Sequence, residues 1–348
     1  MRRVLAMTFG MTVGLLSLCA SALAQTPQQM PSDAEWAKVV AAAKKEGSVV
    51  VYSGYVSPNT HKAIGDAFEK AYGIKVEYFM ARGGELRERL RIEQSTGRFL
   101  ADVSHNALSQ TWGANRVENS MVPHGGLPDA KRLKPEFAAR ADDTVIPIFT
   151  INYGFLINAG MVKPEDQPKG WRDLLDPKWK GKILSDDPRA SGGGRVMFHM
   201  TYDKWGAEFH EKLAAQELVF VRDYNEATRR VARGEYPIYI PLILGDYAKI
   251  KPLPVRYVIP EEGVTYGSYG VGIFRNAPHP NAARLLANFY FSDTAQAVYA
   301  RDGHGIVISD LKEKLDPEVE KLSEAKPLVP EDFSRIQEMF DRAKAIYK

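Results

Sequence analysis

The residues best equipped for chemistry lie together in Asp187-Pro188-Arg189-Ala190-Ser191-Gly192-Gly193-Gly194-Arg195. A serine and three glycines ahead of a predicted helix (192–200) put a hydroxyl, main-chain N–H groups and a positive dipole end at one point. Glycine lets a guest approach the backbone without a Cβ clash, so Ser191, Gly192 and Gly193 suit a phosphate, phosphonate or carboxylate oxygen. Arg189 or Arg195 could add a charge-assisted bond. The plainer alternative is a serine cap beside a flexible loop. No Lys-Ser or Lys-Thr follows the glycines, so this is not a nucleotide phosphate loop.

Further candidates fall where predicted strands end: Ser53 and Tyr55, Arg82 beside Gly83 and Gly84, His105 and Asn106, Asn225, Asp246 and Tyr247, and Tyr266 with Tyr269. Each has a structural alternative. Loop tyrosines wedge against cores, Asn225 can cap a helix, and His105 can be a solvated loop residue. Arg82 can belong with Arg87, Arg89 and Arg91 to a solvated face.

Catalytic signatures are missing. There is no Gly-x-Ser-x-Gly elbow, no His-Glu-x-x-His helix and no dinucleotide glycine fingerprint, and the seven histidines lack metal-like spacing. The expectation is a binding protein with no catalytic residues, no cofactor and no metal, a secreted hydrolase being the distant alternative. A polyamine binder needs several carboxylates in an aromatic box, for which Asp246 alone is a thin start.

At the N-terminus, Arg2-Arg3, an apolar run from Val4 to Leu18 and Ala22-Leu23-Ala24 form the three parts of a secretory signal peptide over residues 1–24, cut before Gln25. The mature chain is expected in the periplasm. Cys19, the sole cysteine, leaves with the signal, so no disulfide or thiolate metal site can form. The formal charge of +3 falls to +1 with the loss of Arg2 and Arg3, a balance unlike that of nucleic-acid binders. With 45% apolar residues the chain can bury a large core.

Apolar runs and helical patterns alternate along the chain. A helix over 34–45 ends at Gly47; strands follow at 49–52, 74–80 and 102–103, with helices between them, the first capped by Asn59 or Thr60. This βαβαβ start favours a parallel sheet covered by helices. The same rhythm returns after Trp171, and the chain beyond Pro280 reads as mainly helical. Two long strands, 144–158 and 267–274, read as crossings between two α/β lobes, which makes a cleft at strand carboxyl ends.

Trp171-Arg172-Asp173-Leu174-Leu175-Asp176-Pro177-Lys178-Trp179-Lys180-Gly181-Lys182-Ile183 and His279-Pro280-Asn281-Ala282-Ala283-Arg284, continuing to Gln296, resemble phrases of the periplasmic solute-binding proteins of ABC importers, in the branch that includes ferric-iron-binding proteins. Ala101-Asp102-Val103 and Gly234-Glu235 add weaker support. The resemblance implies a type II two-lobed α/β fold: lobe 1 from 33–150 and 268–310, lobe 2 from 151–267, and C-terminal helices 311–348 packing across or onto lobe 2. It implies capture of a small organic anion, delivery to a cognate inner-membrane permease, and a monomer. It also strengthens the anion reading of the glycine turn. Iron-binding relatives carry adjacent tyrosines about ten residues after the Gly-Glu pair; this chain has Leu242-Ile243-Leu244-Gly245 there, and Ser104-His105-Asn106-Ala107 where they carry a glutamate. Ferric binding is therefore the alternative, and an organic anion resting near Leu244 and Tyr247 the expectation.

Overall fold

Ser32 begins the first helix by a reciprocal cap: its hydroxyl accepts the Glu35 N–H while the Glu35 carboxylate takes the Ser32 N–H at 2.8 Å. Helix α1 (Asp33–Glu46) ends at Gly47, whose φ of +75° suits glycine. This computed structural model describes residues 30–348 except 56, 112–117, 139–140, 191, 331 and 333. Residues 1–24, expected as a signal peptide, and Ser191 therefore lie outside the described residues.

After α1 come strand β1 (Ser48–Ser53), helix α2 (Pro58–Tyr72), strand β2 (Lys75–Met80), helix α3 (Gly83–Ser95) and strand β3 (Val103–Ala107). Both β2 and β3 pair with β1 in parallel, as the βαβαβ reading expects. Helix α2 starts earlier than either expected cap, because Pro58 fits a first helical turn where no N–H is needed. Thr60 instead turns its hydroxyl to the Asp302 carboxylate at 2.6 Å.

A short strand β4 (Met121–Val122) precedes β5 (Val145–Asn158). The second half of the sheet holds β6 (Ile183–Asp186), β7 (Val219–Val221) and β8 (Ile238–Ile243), all parallel, with β9 (Val255–Val258) antiparallel to β5. Strand β10 (Thr265–Phe274) closes the order β2-β1-β3-β10-β5-β8-β6-β7. Strands β5 and β10 run antiparallel from Thr265 opposite Tyr153 to Gly272 opposite Val145. The far end of β10 pairs with β3, and the far end of β5 with β8 and β9. The fold is thus the two-lobed, type II arrangement, with two strands common to both lobes. The boundaries expected at 150/151 and 267/268 fall inside these strands.

The tryptophan phrase is core. Trp171 is fully buried, stands edge-on to Phe155 at 4.8 Å, and donates its indole N–H to the Gly263 carbonyl at 2.9 Å. The long helix Gly193–Ala214 overruns its expected end and is interrupted at Gly206. Met339, Ala343 and Tyr347 of the C-terminal segment pack on its Phe198. Leu322 enters the core beside β8 and takes the Asn152 amide N–H on its carbonyl at 3.3 Å. Among the described residues no helix is long and apolar enough to cross a membrane.

Candidate functional site

Strands β6, β7 and β8 are parallel, so their carboxyl ends share one edge, the position at which open sheets receive ligands. A cavity of about 210 Å³ opens there. Gly192 and Gly193 form one side, Asp186 and Arg222 a second, and Tyr153, Tyr224 and Tyr239 the walls. Tyr153 belongs to β5, so the cavity abuts a strand that crosses between lobes.

The glycine turn is occupied in part by the protein itself. The Asp186 carboxylate accepts the N–H groups of Gly194 at 2.7 Å and Asp187 at 3.0 Å, doing what a bound anion would do at a helix N-terminus. Gly192, at φ +150°, and Gly194 allow this approach: a Cβ on Gly194 would stand 2.5 Å from the Asp186 carbonyl oxygen. Burial pushes the Asp186 carboxyl above its ordinary pKa, opposed by those two N–H donors and by the Arg222 charge.

Arg222 is exposed, and among the described residues no hydrogen bond or ion pair holds it. The sequence reading looked instead to Arg189 or Arg195. Arg189 is engaged elsewhere, with Asp187 at 2.8 Å and over the Phe220 ring. Arg195 lies over Phe340. Among the described residues the buried Tyr224 hydroxyl has no well-formed hydrogen bond, although Thr228 and the Ile243 main chain lie near it. Buried hydroxyls are usually paired, so this one has capacity to spare.

The other candidates divide between two places. Ser53 is fully buried; its hydroxyl meets His61 Nε2 and His105 Nδ1, each at 3.0 Å, and His105 Nε2 reaches the Tyr299 hydroxyl at 3.0 Å. The Tyr55 hydroxyl donates to the Asp302 carboxylate and meets His304 Nε2 at 2.5 Å. Tyr269 stands edge-on to the Tyr55 ring, so these groups form one closed aromatic and polar cluster in the first lobe. Burial, then the neighbouring His61 charge, drives the His105 pKa well below its ordinary value. Burial lowers His61 likewise. Burial raises the Asp302 carboxyl, but bonds from His304, Thr60 and Tyr55 outweigh it and hold the group low.

Asn106 lines a separate cavity in the first lobe, and Arg82 precedes α3 with its side chain exposed. Asn225 is exposed in the helix Tyr224–Ala232, which Asp223 caps. Asp246 pairs with Lys249, and Tyr247 packs with Leu244 in the core of the second lobe. Leu244 is fully buried and Tyr247 nearly so; neither lines the cavity. Tyr266 is core. Sequence reasoning missed Asp186, Arg222, Tyr153, Tyr224 and Tyr239. Asp186 ends β6 and Arg222 follows β7, so the strand-end rule that selected Ser53 also reaches them. Among the described residues no three His, Cys, Asp or Glu side chains gather as a metal site requires.

The family described as bacterial extracellular solute-binding protein matches residues 63–327. The chain belongs to it. This solute-binding protein is 25% identical over 244 residues to a putative 2-aminoethylphosphonate-binding periplasmic protein of Salmonella typhimurium, covering 66% of this chain and 68% of that one. Its fold is similar to the iron- and citrate-bound IdiA (FutA) of Trichodesmium, with TM-score 0.72, 18% identity and coverage of 87% and 100%. It is also similar to the fructose-6-phosphate-bound AfuA of Actinobacillus pleuropneumoniae, with TM-score 0.61, 22% identity and coverage of 86% and 96%. Family membership makes the chain a bacterial extracellular solute-binding protein.

Proposed function

We propose that the second-lobe cavity receives a small organic anion that also carries an amine, with an aminoalkylphosphonate as the leading chemistry. The observation that carries this reading is the pairing of opposite charges on one small cavity. Arg222 is available to an oxyanion beside Gly192 and Gly193, while the Asp186 carboxylate lines the same space. A simple anion would face Asp186 unfavourably; an ammonium end would complement it. The volume equals about seven waters at about 30 Å³ each, which suits a compact solute. The Salmonella relative's described ligand, 2-aminoethylphosphonate, has both charges.

In this reading the protein binds and releases its solute unchanged. The lobes close about β5 and β10, and the closed form is what a cognate inner-membrane permease recognises. The protein acts as a monomer after removal of residues 1–24. Calorimetry with 2-aminoethylphosphonate, ethylphosphonate and inorganic phosphate tests the ligand. The expected order places the aminophosphonate first by tenfold or more. Equal affinity for ethylphosphonate would remove Asp186 from recognition, and no binding by any of the three would remove the anion.

A further inference from the structure

The first lobe contains a second cavity, about 340 Å³, between α3 and the face of the sheet opposite His105. It shares no lining residue with the second-lobe cavity. Its floor is apolar: Leu86 and Leu90 of α3 face Met121, Phe274 and the Tyr52 ring. Its other wall is polar and neutral, formed by Ser104, Asn106, Ser109 and Gln110. Gly83 brings α3 close to this wall, since a Cβ there would stand 1.8 Å from Gln110 Oε1.

Two hydroxyls mark the cavity as more than a packing gap. Thr111 is 2% exposed and Ser120 1% exposed; both line the space, and among the described residues neither hydroxyl has a hydrogen-bond partner. Leaving a buried hydroxyl unpaired is costly, so two at one cavity signal a missing partner. The charges nearby are already matched. Arg87, which also lines the space, pairs with Glu118 at 2.7 Å, and the Tyr52 hydroxyl is taken up by Glu93 at 2.6 Å and Arg89 at 2.8 Å.

The geometry points to a second ligand site in the first lobe for an uncharged amphiphile, an apolar body carrying one or two neutral hydrogen-bonding groups directed at Thr111 and Ser120. The space holds about eleven waters' volume at about 30 Å³ each, within the range of small-molecule pockets. Occupancy bears on the cleft through Asn106, which lines this cavity and closes on Gly54: a Cβ on Gly54 would stand 2.1 Å from Asn106 Oδ1.

Fluorescence titration of the full chain with N-phenyl-1-naphthylamine, a neutral aromatic with one N–H, tests the site. Saturable binding is expected. Thr111→Val, which keeps shape and removes the hydroxyl, should weaken it about threefold to tenfold, the worth of one neutral hydrogen bond. Ser120→Leu, which fills the space, should abolish it. Adhesion to apolar surface alone would instead be unchanged or strengthened by Thr111→Val. No saturable signal, or an affinity that survives either folded variant, overturns the site; should Ser120→Leu not fold, Thr111→Val decides. Arg222→Met should leave the dye affinity unchanged, and its loss there would place the dye in the second-lobe cavity and overturn the assignment.

Discussion

The main chains of Gly245 and Gly303 touch: a Cβ on Gly303 would stand 2.2 Å from the Gly245 Cα, and one on Gly245 would stand 2.5 Å from the Gly303 carbonyl oxygen. Gly245 follows β8 and Gly303 follows the helix Asp293–Arg301, so the two lobes meet here backbone to backbone. Gly303 also has a φ of +82°. Gly303→Ala should therefore cost on the order of 2 kcal/mol from backbone strain, with the clash adding to it. Thermal denaturation should show a lower midpoint; an unchanged midpoint would mean that the contact yields freely.

Acid should weaken the first lobe. His61 and His105 are held below their ordinary pKa of 6.5, so the unfolded chain takes up protons first as pH falls through that value. Their stabilising contribution is complete above about 6.5 and declines from there toward the lower native values. Asp302, held below 3.8, acts in the same direction at still lower pH, where its loss of charge removes the bonds from Tyr55 and Thr60. Urea unfolding from pH 8 to pH 5 should show stability flat at first, then falling by up to about 1.4 kcal/mol per pH unit for each proton taken up. His105→Gln should flatten that fall; an identical slope would clear His105 of the effect.

The two charges of the second-lobe cavity should separate by ligand. Arg222→Met should weaken 2-aminoethylphosphonate and ethylphosphonate alike, by about tenfold or more for loss of a charge-assisted contact. Asp186→Asn should weaken only the amine-bearing ligand, since an asparagine oxygen can still accept the Gly194 N–H. Equal losses for both ligands in the Asp186 variant would point to collapse of the turn instead.

Trp171→Ala should cost about 3 to 5 kcal/mol, because it empties a fully buried site and leaves the Gly263 carbonyl unpaired. Chemical denaturation measures this directly, and a loss below about 1 kcal/mol would show that the surrounding helices collapse inward.

Ferric citrate should give no phenolate charge-transfer band in the visible spectrum. Tyr247 is buried against the Tyr257 ring, its hydroxyl directed toward the Val255 carbonyl at 3.5 Å, and Leu244 beside it offers no oxygen. A strong band would bring iron back as cargo.

Much of the frame was legible because apolar periodicity is a local signal. Strands β1, β2 and β5 fall within a residue or two of expectation, since the apolar pattern of each is bounded by turn residues. The site was only partly legible. Gly192 and Gly193, expected from their turn, line the candidate cavity, but the carboxylate on that turn belongs to Asp186, brought back by the path from β6 into the following helix. Spacing does not disclose whether a cap comes from a ligand or from the chain. Ser53 ends β1 as expected, whereas His105 lies inside β3 and not in a loop beyond it; both are tied to His61 and Tyr299, residues whose approach depends on tertiary packing.

The shared pair of long strands has a mechanical consequence. Their own ladder is interrupted once, at Tyr269/Gly270, and the ladder of β5 with β8 once, between Gly154 and Leu156. Irregular pairing raises local twist and yields before an unbroken ladder does. Torsion between the halves should concentrate at these two places, one on either side of the stretch from Thr150 to Tyr153, so that segment would turn as a stiff axle while its ends flex.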